Sequence, residues 1–599
     1  MPQLSNGYRR FIRRQVRLIK TIKAEEPYKR ETTLTVILGL FCEAPDLLRE
    51  YMHLAEEQIS QRVHAFGSNL VGIMERNVLA LGTLSVGSVA AFIGFHAIIV
   101  SYRGLAPLER IMAIGLLGCE AIFANNRIGY VYSYFRSTEF KSARNQFLAR
   151  TSSASVACLV TVCDEPIAVI GETVASICAM RYENMRVYIL DDSGKSENID
   201  KITELARSLG VTVIRREGRR HYKAGNLNNA LAQIDTDYIA VFDADQRPSV
   251  DFLRDIVPSL DEDPGLALVQ TRQDYENSHS PIAHAAAIQS GLFYDHICEG
   301  KDAGGAMFCC GTNFVMRREA LMDVGGFDTA SITEDLATTM KLHANGWRTA
   351  YNDKLYATGL GPETLGEYFK QHSRWATGTF QVLKMAIRMF FTRRRALSAQ
   401  QWFDYWLSFS YYLSGPANFY LLLLPSAYVL LGIGLIKAQG PIYLALFVVA
   451  FLSSWVFFSF TLIKRGYPAR ELIVVCARLE TCKFAVYTEA LVAAFLGRKR
   501  VFKVTEKGNR AQPSWFVFAV PLAVLGLNAI AVVVGLYRLG LYFDIYMAIN
   551  TFWAGLNVWQ LSAIIQYNSG SVMQNIQYLT PLRDESYAAA ELGQDWAGR

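Results

Sequence analysis

Charged side chains are scarce: 19% of the 599 residues are Asp, Glu, Lys or Arg, against about 25% in an ordinary soluble chain. With 51% hydrophobic residues and a mean hydropathy of +0.15, this excludes disordered, collagenous and purely soluble readings. The ten cysteines include no CxxC pair and have no histidine at metal-ligand spacing beside them. That excludes a disulfide frame and a zinc site and fits a reducing compartment. No secretory signal opens the chain: its basic start runs through Arg17, Lys20 and Lys23, and the early apolar run at 34–41 is too short, so no cleavage is expected. The formal net charge of +6 is modest, and basic residues do not interleave with aromatics along one stretch, so nucleic acid is not an expected partner. Nor is one compact domain expected, because single cores stop growing near about 250–300 residues. The sequence predicts a membrane part and a soluble part.

Apolar runs of about 20 residues mark spans at 78–100, 413–436, 441–463, 515–536 and 543–566. A sixth, 110–132, carries Glu120 and Arg127, and topology argues for keeping it. With six spans, residues 1–77 (twelve Lys+Arg), 133–412 and 464–514 (eleven Lys+Arg) share one side, and the opposite loops hold few basic residues. This positive-inside pattern predicts that the N-terminus and the middle block are cytoplasmic. In 8–23, Phe11, Val16, Ile19 and Ile22 form a rough helical stripe among basic residues, which suits a helix on an anionic leaflet or a solvated basic arm. The aromatic segment 402–412 suits the headgroup level or an ordinary span start.

Residues 153–360 change character. Short β-branched runs at 155–163, 187–190, 211–215, 238–242 and 266–270 alternate with helical patterns, which predicts a parallel α/β sheet with several strands buried on both faces. Ligands of such sheets bind outside the carboxyl ends of the strands. There the chain places Asp191-Asp192-Ser193 after one strand and Asp243-Ala244-Asp245 after another. Four carboxylates at one sheet edge suit a hard cation that also takes phosphate oxygens; aspartates also cap turns, and a DxD alone is weak. Thr333-Glu334-Asp335 follows a Gly-rich turn and opens a helical pattern, which a simple cap would also explain. Gln371, Arg374 and Trp375 fall within one helical turn. Arg suits a diphosphate and Trp a sugar face, although an amphipathic interface helix would look similar.

Taken in order, these motifs resemble those of the membrane-embedded family 2 glycosyltransferases, above all the bacterial cellulose synthases and the curdlan synthases. The resemblance covers about 155–566 and rests on Lys223-Ala224-Gly225-Asn226-Leu227-Asn228, the Asp243/Asp245 pair, Phe308-Cys309-Cys310-Gly311-Thr312-Asn313, Thr333-Glu334-Asp335, Gly361-Pro362-Glu363-Thr364, Gln371/Arg374/Trp375 and Phe502-Lys503-Val504-Thr505-Glu506-Lys507. It implies a cytosolic GT-A (Rossmann-like) α/β domain inserted in a bundle of about six transmembrane helices. The implied division is a basic cytosolic region 1–77, two spans in 78–132, the GT-A domain 153–360 and interface helices 361–412. Two spans in 413–463, an interface helix with a gating loop in 464–514, two spans in 515–566 and a tail 567–599 follow.

By the same resemblance, Glu165, Asp191 and Asp192 bind the nucleotide sugar, and Asp243 and Asp245 hold its diphosphate with Mg²⁺, or Mn²⁺ in its place. Asp335 is the general base. Lys223, Gln371 and Arg374 contact the diphosphate or the acceptor end, Thr505 and Lys507 close over UDP, and Cys310, Glu334 and Trp375 border the acceptor. The implied activity is processive, inverting polymerisation of glucose from UDP-glucose at the bacterial inner membrane. The β-glucan would be passed across the bilayer, to periplasmic or outer-membrane export proteins where these exist. Cys163 stands where cellulose synthases place an aromatic near the uracil, Gln246 where they tend to have His, and Cys309 replaces the second Phe of their Phe-Phe-Cys-Gly. The tail is too short for a cyclic-di-GMP-binding PilZ domain, which tilts the expected product toward curdlan-type β-1,3-glucan over β-1,4-glucan. A mixed-linkage or GlcNAc-containing polymer and a non-processive lipid-linked transfer are the alternatives. A catalytically silent channel would be expected to have lost some of these acidic residues.

Overall fold

The computed structural model describes residues 74, 76–101, 107–143, 151–278, 280–433, 440–467, 471–497 and 514–568. The stripe at 8–23 with nearly all of the region 1–77, the tail and the loop with Thr505 and Lys507 lie outside the described residues.

Eight strands form one sheet: β1 Val156–Val162, β2 Met185–Asp191, β3 Thr212–Arg215, β4 Tyr238–Asp243, β5 Arg247–Pro248, β6 Leu266–Tyr275, β7 Phe314–Arg317 and β8 Arg348–Gly359. Their order is β3-β2-β1-β4-β7-β6-β8-β5. The half from β3 to β4 is parallel, as the alternation of strands and helices predicts. The expectation of a parallel sheet throughout is corrected by β7, which runs antiparallel to β4 and β6. The reason lies in the approach to β7: the Asn313 N–H donates to the Val241 carbonyl at 2.8 Å, so β7 starts near the end of β4 and runs back along it. That reversal lays 308–313 across the carboxyl edge of the sheet. β1 is buried on both faces because its alternate residues serve two cores. Cys158 and Val160 pack under helices Ile167–Cys178 and Phe252–Glu262, and Ala157 and Leu159 pack against helix Tyr222–Leu231. Burial of Val160 and Leu159 stabilises by about 1.5–3 kcal/mol each.

Among the described residues four helices are long and apolar enough to cross a membrane: Val78–Ser101, Ser414–Leu431, Ile442–Ile463 and Trp515–Leu541. The expected spans 110–132 and 543–566 lie on helices Pro107–Ala143 and Ile545–Leu561, which do not meet that measure. The first carries charges along its length and the second has 17 residues. The charges are partnered inside the bundle. Glu120 pairs with His96 and accepts from the Tyr443 hydroxyl, and Arg127 donates to the Ser454 carbonyl. Polar contacts also join the helices: Ser85 to Ser454 at 3.0 Å, Tyr130 to Thr461 at 2.6 Å, and Asn557 to Asn528 at 3.0 Å. In an apolar surround such pairs hold helices together at about 0.6 kcal/mol each on average.

Between sheet and bundle lies helix Leu365–Arg393, which carries Gln371, Arg374 and Trp375. Thr364 caps it reciprocally with Glu367, and Asn277 holds both backbone groups of Gly361 at 2.7 and 3.0 Å. The motif 361–364 thus fixes where this helix starts.

Candidate active site

Register builds the site edge. Along β1, Val162 pairs with Asp191 of β2 and Thr161 with Asp243 of β4, so the two acidic strand ends flank the last two residues of β1. The peptide N–H of Asp243 donates to Thr312 Oγ1 at 3.0 Å, and Thr161 Oγ1 donates to the Asp243 carboxylate at 3.4 Å.

Lys223 is the hub. Its ammonium donates to the Asp243 carboxylate and, at 2.8 Å, to the Gly311 carbonyl. Burial works against its charge, but Asp243, Glu334 and Asp335 outweigh it and raise its pKa. The rest of that motif is architectural. Asn226 ties helix Tyr222–Leu231 to the Leu190 carbonyl, and Asn228 grips both backbone groups of Phe327 at 2.8 and 2.9 Å. A Cβ on Gly225 would sit 2.2 Å from the Arg220 carbonyl.

Glu334 and Asp335 open helix Glu334–Ala344. Burial pushes the Asp335 carboxyl up to about 6, although the Leu336 N–H, Lys223 and Arg374 each favour its charge. Burial and Asp335 likewise push Glu334 up. Gly311 explains how close the neighbouring loop comes: its φ is +90°, and a Cβ there would lie 3.0 Å from Asp335 Oδ2. On the other side a Cβ on Gly378 would overlap Thr333, so helix Leu365–Arg393 packs against the residue just before the pair.

The structure therefore brings Lys223, Asp243, Glu334, Asp335 and Arg374 into one electrostatic cluster. Asp245 and Glu165 border it. Burial pushes Glu165 up to about 7, with Asp245 and Asp243 adding to the rise, and the Cys163 N–H donates to it at 2.5 Å. Cys310 lies alongside: its N–H donates to Gln270 at 2.7 Å, and a hydrogen bond with Cys298 together with burial pushes its thiol well up. Trp375 packs edge-on against His372 at 5.0 Å, and His372 in turn meets the Tyr487 hydroxyl at 2.9 Å. Gln371 is half-buried one turn before Trp375.

Asp191 and Asp192 are engaged already. Asp191 accepts from Arg215 Nε at 2.8 Å and from the Ser193 N–H at 2.9 Å, and Arg216 grips Asp192 through two bonds of 2.9 and 2.6 Å. These arginines, missed in the sequence, stand just past and at the end of β3, where the rule that residues after strands carry the chemistry would have found them. Also missed is Asp164, at φ +68°. Burial opposes its charge, but the N–H groups of Gly194 and Lys195 and the Asn198 amide hold it low. It fixes the loop after β2.

Among the described residues no three His, Cys, Asp or Glu side chains are grouped to enclose an ion. Asp243, whose side chain is partly open to solvent, and the buried Asp245 supply hard carboxylate oxygens at the sheet edge, a donor set that fits a divalent cation completed by phosphate oxygens and water.

Residues 154–378 match the family model "Glycosyltransferase like family 2" and 317–540 match "Cellulose synthase". The chain is 30% identical over 417 residues to a cellulose synthase catalytic subunit [UDP-forming] of Pseudomonas fluorescens (strain SBW25), covering 67% of this chain and 55% of that protein. It is 34% identical over 239 residues to one of Xanthomonas axonopodis pv. citri (strain 306), covering 39% and 32%. The chain thus spans about half the length, or less, of these relatives. The solved mannosyltransferase PcManGT from Pyrobaculum calidifontis, in complex with GDP-Man and Mn²⁺, aligns at 17% identity and a TM-score of 0.46, covering 64% of this chain and 99% of that one.

Proposed function

The chain is a membrane-helix-bearing family 2 glycosyltransferase with a GT-A-like fold, related to the bacterial cellulose synthases, and from that premise we propose that it polymerises glucose from UDP-glucose into a β-glucan. The observation that carries the reading is a half-buried carboxyl of raised pKa, Asp335, held between Lys223, Arg374 and the Gly311 turn beside the strand-end carboxylates. Asp335 takes the proton of the acceptor hydroxyl as that oxygen attacks the anomeric carbon. The bond to the UDP oxygen breaks on the opposite face, so an α-linked donor gives a β-linkage. Lys223 and Arg374 place positive charge where the diphosphate gains negative charge. Asp243 and Asp245 would hold a divalent cation, Mg²⁺ first, which when bound neutralises the leaving diphosphate. Glu165, Asp191 and Asp192 shape the nucleotide side, the last two through Arg215 and Arg216. Glu334, Cys310, Gln371 and Trp375 form the acceptor side, with Thr505 and Lys507 assigned to closure over UDP. The bundle carries the product across a bacterial inner membrane, six spans leaving the sheet domain cytoplasmic as the positive-inside pattern requires.

Curdlan-type β-1,3 linkage is the product we favour over β-1,4. The test is incorporation from radiolabelled UDP-glucose by purified protein with Mg²⁺, followed by digestion with linkage-specific glucanases. Release by the β-1,3 enzyme alone supports the reading, and release by the β-1,4 enzyme alone replaces it with cellulose-type synthesis. Labelled polymer from UDP-GlcNAc but not UDP-glucose would reassign the donor.

Two further outcomes are expected. The transfer rate should fall about tenfold per pH unit below about 6, because the base must be ionised and its carboxyl titrates there; the limb belongs to the Asp335/Glu334 pair. A pH–rate profile checks this, and a rate still rising as the pH drops through 5 would contradict it. Gly311→Ala forces a Cβ onto a backbone at φ +90° and against Asp335. It should lower kcat about 10- to 100-fold with a loss of about 1–2 kcal/mol in stability, read by steady-state kinetics beside thermal unfolding.

A further inference from the structure

The turn that follows helix Leu365–Arg393 plays no part in the reaction above. From Lys384 to Phe403 the chain holds five basic residues and no acidic one. Arg388, Arg393, Arg394 and Arg395 are all exposed, and among the described residues none of them is in an ion pair. Interleaved with them are Ile387, Phe390 and Phe391, at 50%, 40% and 82% exposure. These three fall at helical spacings of three and four, so they form one apolar stripe.

The turn is built rather than frayed. Trp402 Nε1 donates to the Arg394 carbonyl at 2.9 Å, the Phe390 and Trp402 rings meet at 5.3 Å, and Arg394 lies over Phe390 at 5.9 Å. Its level relative to the apolar helices follows from neighbours. Helix Ala399–Tyr411 runs along helix Pro107–Ala143, with Ser410 bonded to Asn125 and Phe403 packed on Tyr132. One turn further, Phe135 packs against Gly82, near the start of the span Val78–Ser101. Trp402 and the arginines before it therefore sit at the end of the apolar helices where positive charge is retained. Exposed Phe403 and Trp406 continue the apolar stripe toward the bilayer.

An exposed apolar stripe under unpaired arginines, at the membrane boundary, has the composition of a lipid headgroup seat. We infer that Arg393, Arg394 and Arg395 bind anionic phospholipid headgroups while Ile387, Phe390 and Phe391 enter the acyl boundary. The seat anchors the far end of the helix that carries Gln371, Arg374 and Trp375. It requires only that the chain is a membrane protein, and its failure would leave the transferase reading untouched.

The test is native mass spectrometry of the full chain in detergent, titrated with phosphatidylglycerol or phosphatidylcholine, for wild type, R393Q/R394Q/R395Q and Phe391→Asp. The triple variant should lose at least about fivefold in phosphatidylglycerol affinity with no change for phosphatidylcholine. Phe391→Asp, on a side chain that packs on little, should also weaken phosphatidylglycerol. Equal phosphatidylglycerol binding by wild type and triple variant would overturn the assignment. So would displacement of phosphatidylglycerol by inorganic phosphate at constant ionic strength, which would mark a site for free anions instead.

Discussion

Asp335→Asn should slow glycosyl transfer by about 10²- to 10⁴-fold, the range that a positioned general base supplies, while leaving the affinity for UDP within about twofold. Asn keeps the shape of the side chain and can still accept from the Leu336 N–H, now made at 2.8 Å, so the helix start should survive. What it cannot do is take a proton. Lys223 faces Asp243 directly, so the diphosphate side loses little. The variant also removes the charge that helps push Glu334 up, and Glu334 should titrate nearer the ordinary carboxylate range. Stopped-flow transfer alongside calorimetric UDP binding separates the two effects. A variant that keeps polymerising at the wild-type rate would remove Asp335 from the chemistry. One that loses UDP binding in step with activity would make Asp335 a nucleotide contact.

Asp243→Asn should act on the other side of the reaction. It removes one of two carboxylates offered to the cation and the main partner of the half-buried Lys223 ammonium. The metal concentration for half-maximal activity should rise at least about tenfold, and kcat/KM at fixed metal should fall at least about 100-fold, several kcal/mol of charge stabilisation being lost. The Lys223–Asp243 pair is partly open to solvent, with 18% and 42% of the two side chains exposed, so its loss should cost about 1 kcal/mol or less in stability, and unfolding should be measured beside activity. A variant with unchanged metal demand would place the cation elsewhere.

The parallel half of the sheet was legible from β1, β2 and β4, because strands buried on both faces are short continuous apolar runs and their acidic ends fall in register. β7 was not, because four residues between a bend and the short helix Arg318–Asp323 carry no period. β8 was missed because Asn352, Asp353 and Lys354 interrupt its middle, where the register against β6 also shifts. The cluster of Lys223, Asp243, Glu334, Asp335 and Arg374 joins residues from four segments of the chain. Motif order suggested each of them, but only the Gly311 turn and the packing of Gly378 on Thr333 bring them together. The engagement of Asp191 and Asp192 by Arg215 and Arg216 was invisible, since carboxylates after a strand read the same whether they face a ligand or an arginine. The membrane helices show the complementary limit. Hydropathy finds a helix by composition, but the interior partners that make Glu120 and Arg127 tolerable, His96, Tyr443 and Ser454, lie on other helices.

Processive polymerisation is the central claim, and product length under limiting donor tests it most directly. Purified protein in proteoliposomes with Mg²⁺ is given only about ten UDP-glucose molecules for each acceptor, and the length distribution of the labelled glucan is read by size separation. Long chains on a small fraction of acceptors, with the rest untouched, are the expected result. One or two sugars on nearly every acceptor, or no glucan at all, would contradict it.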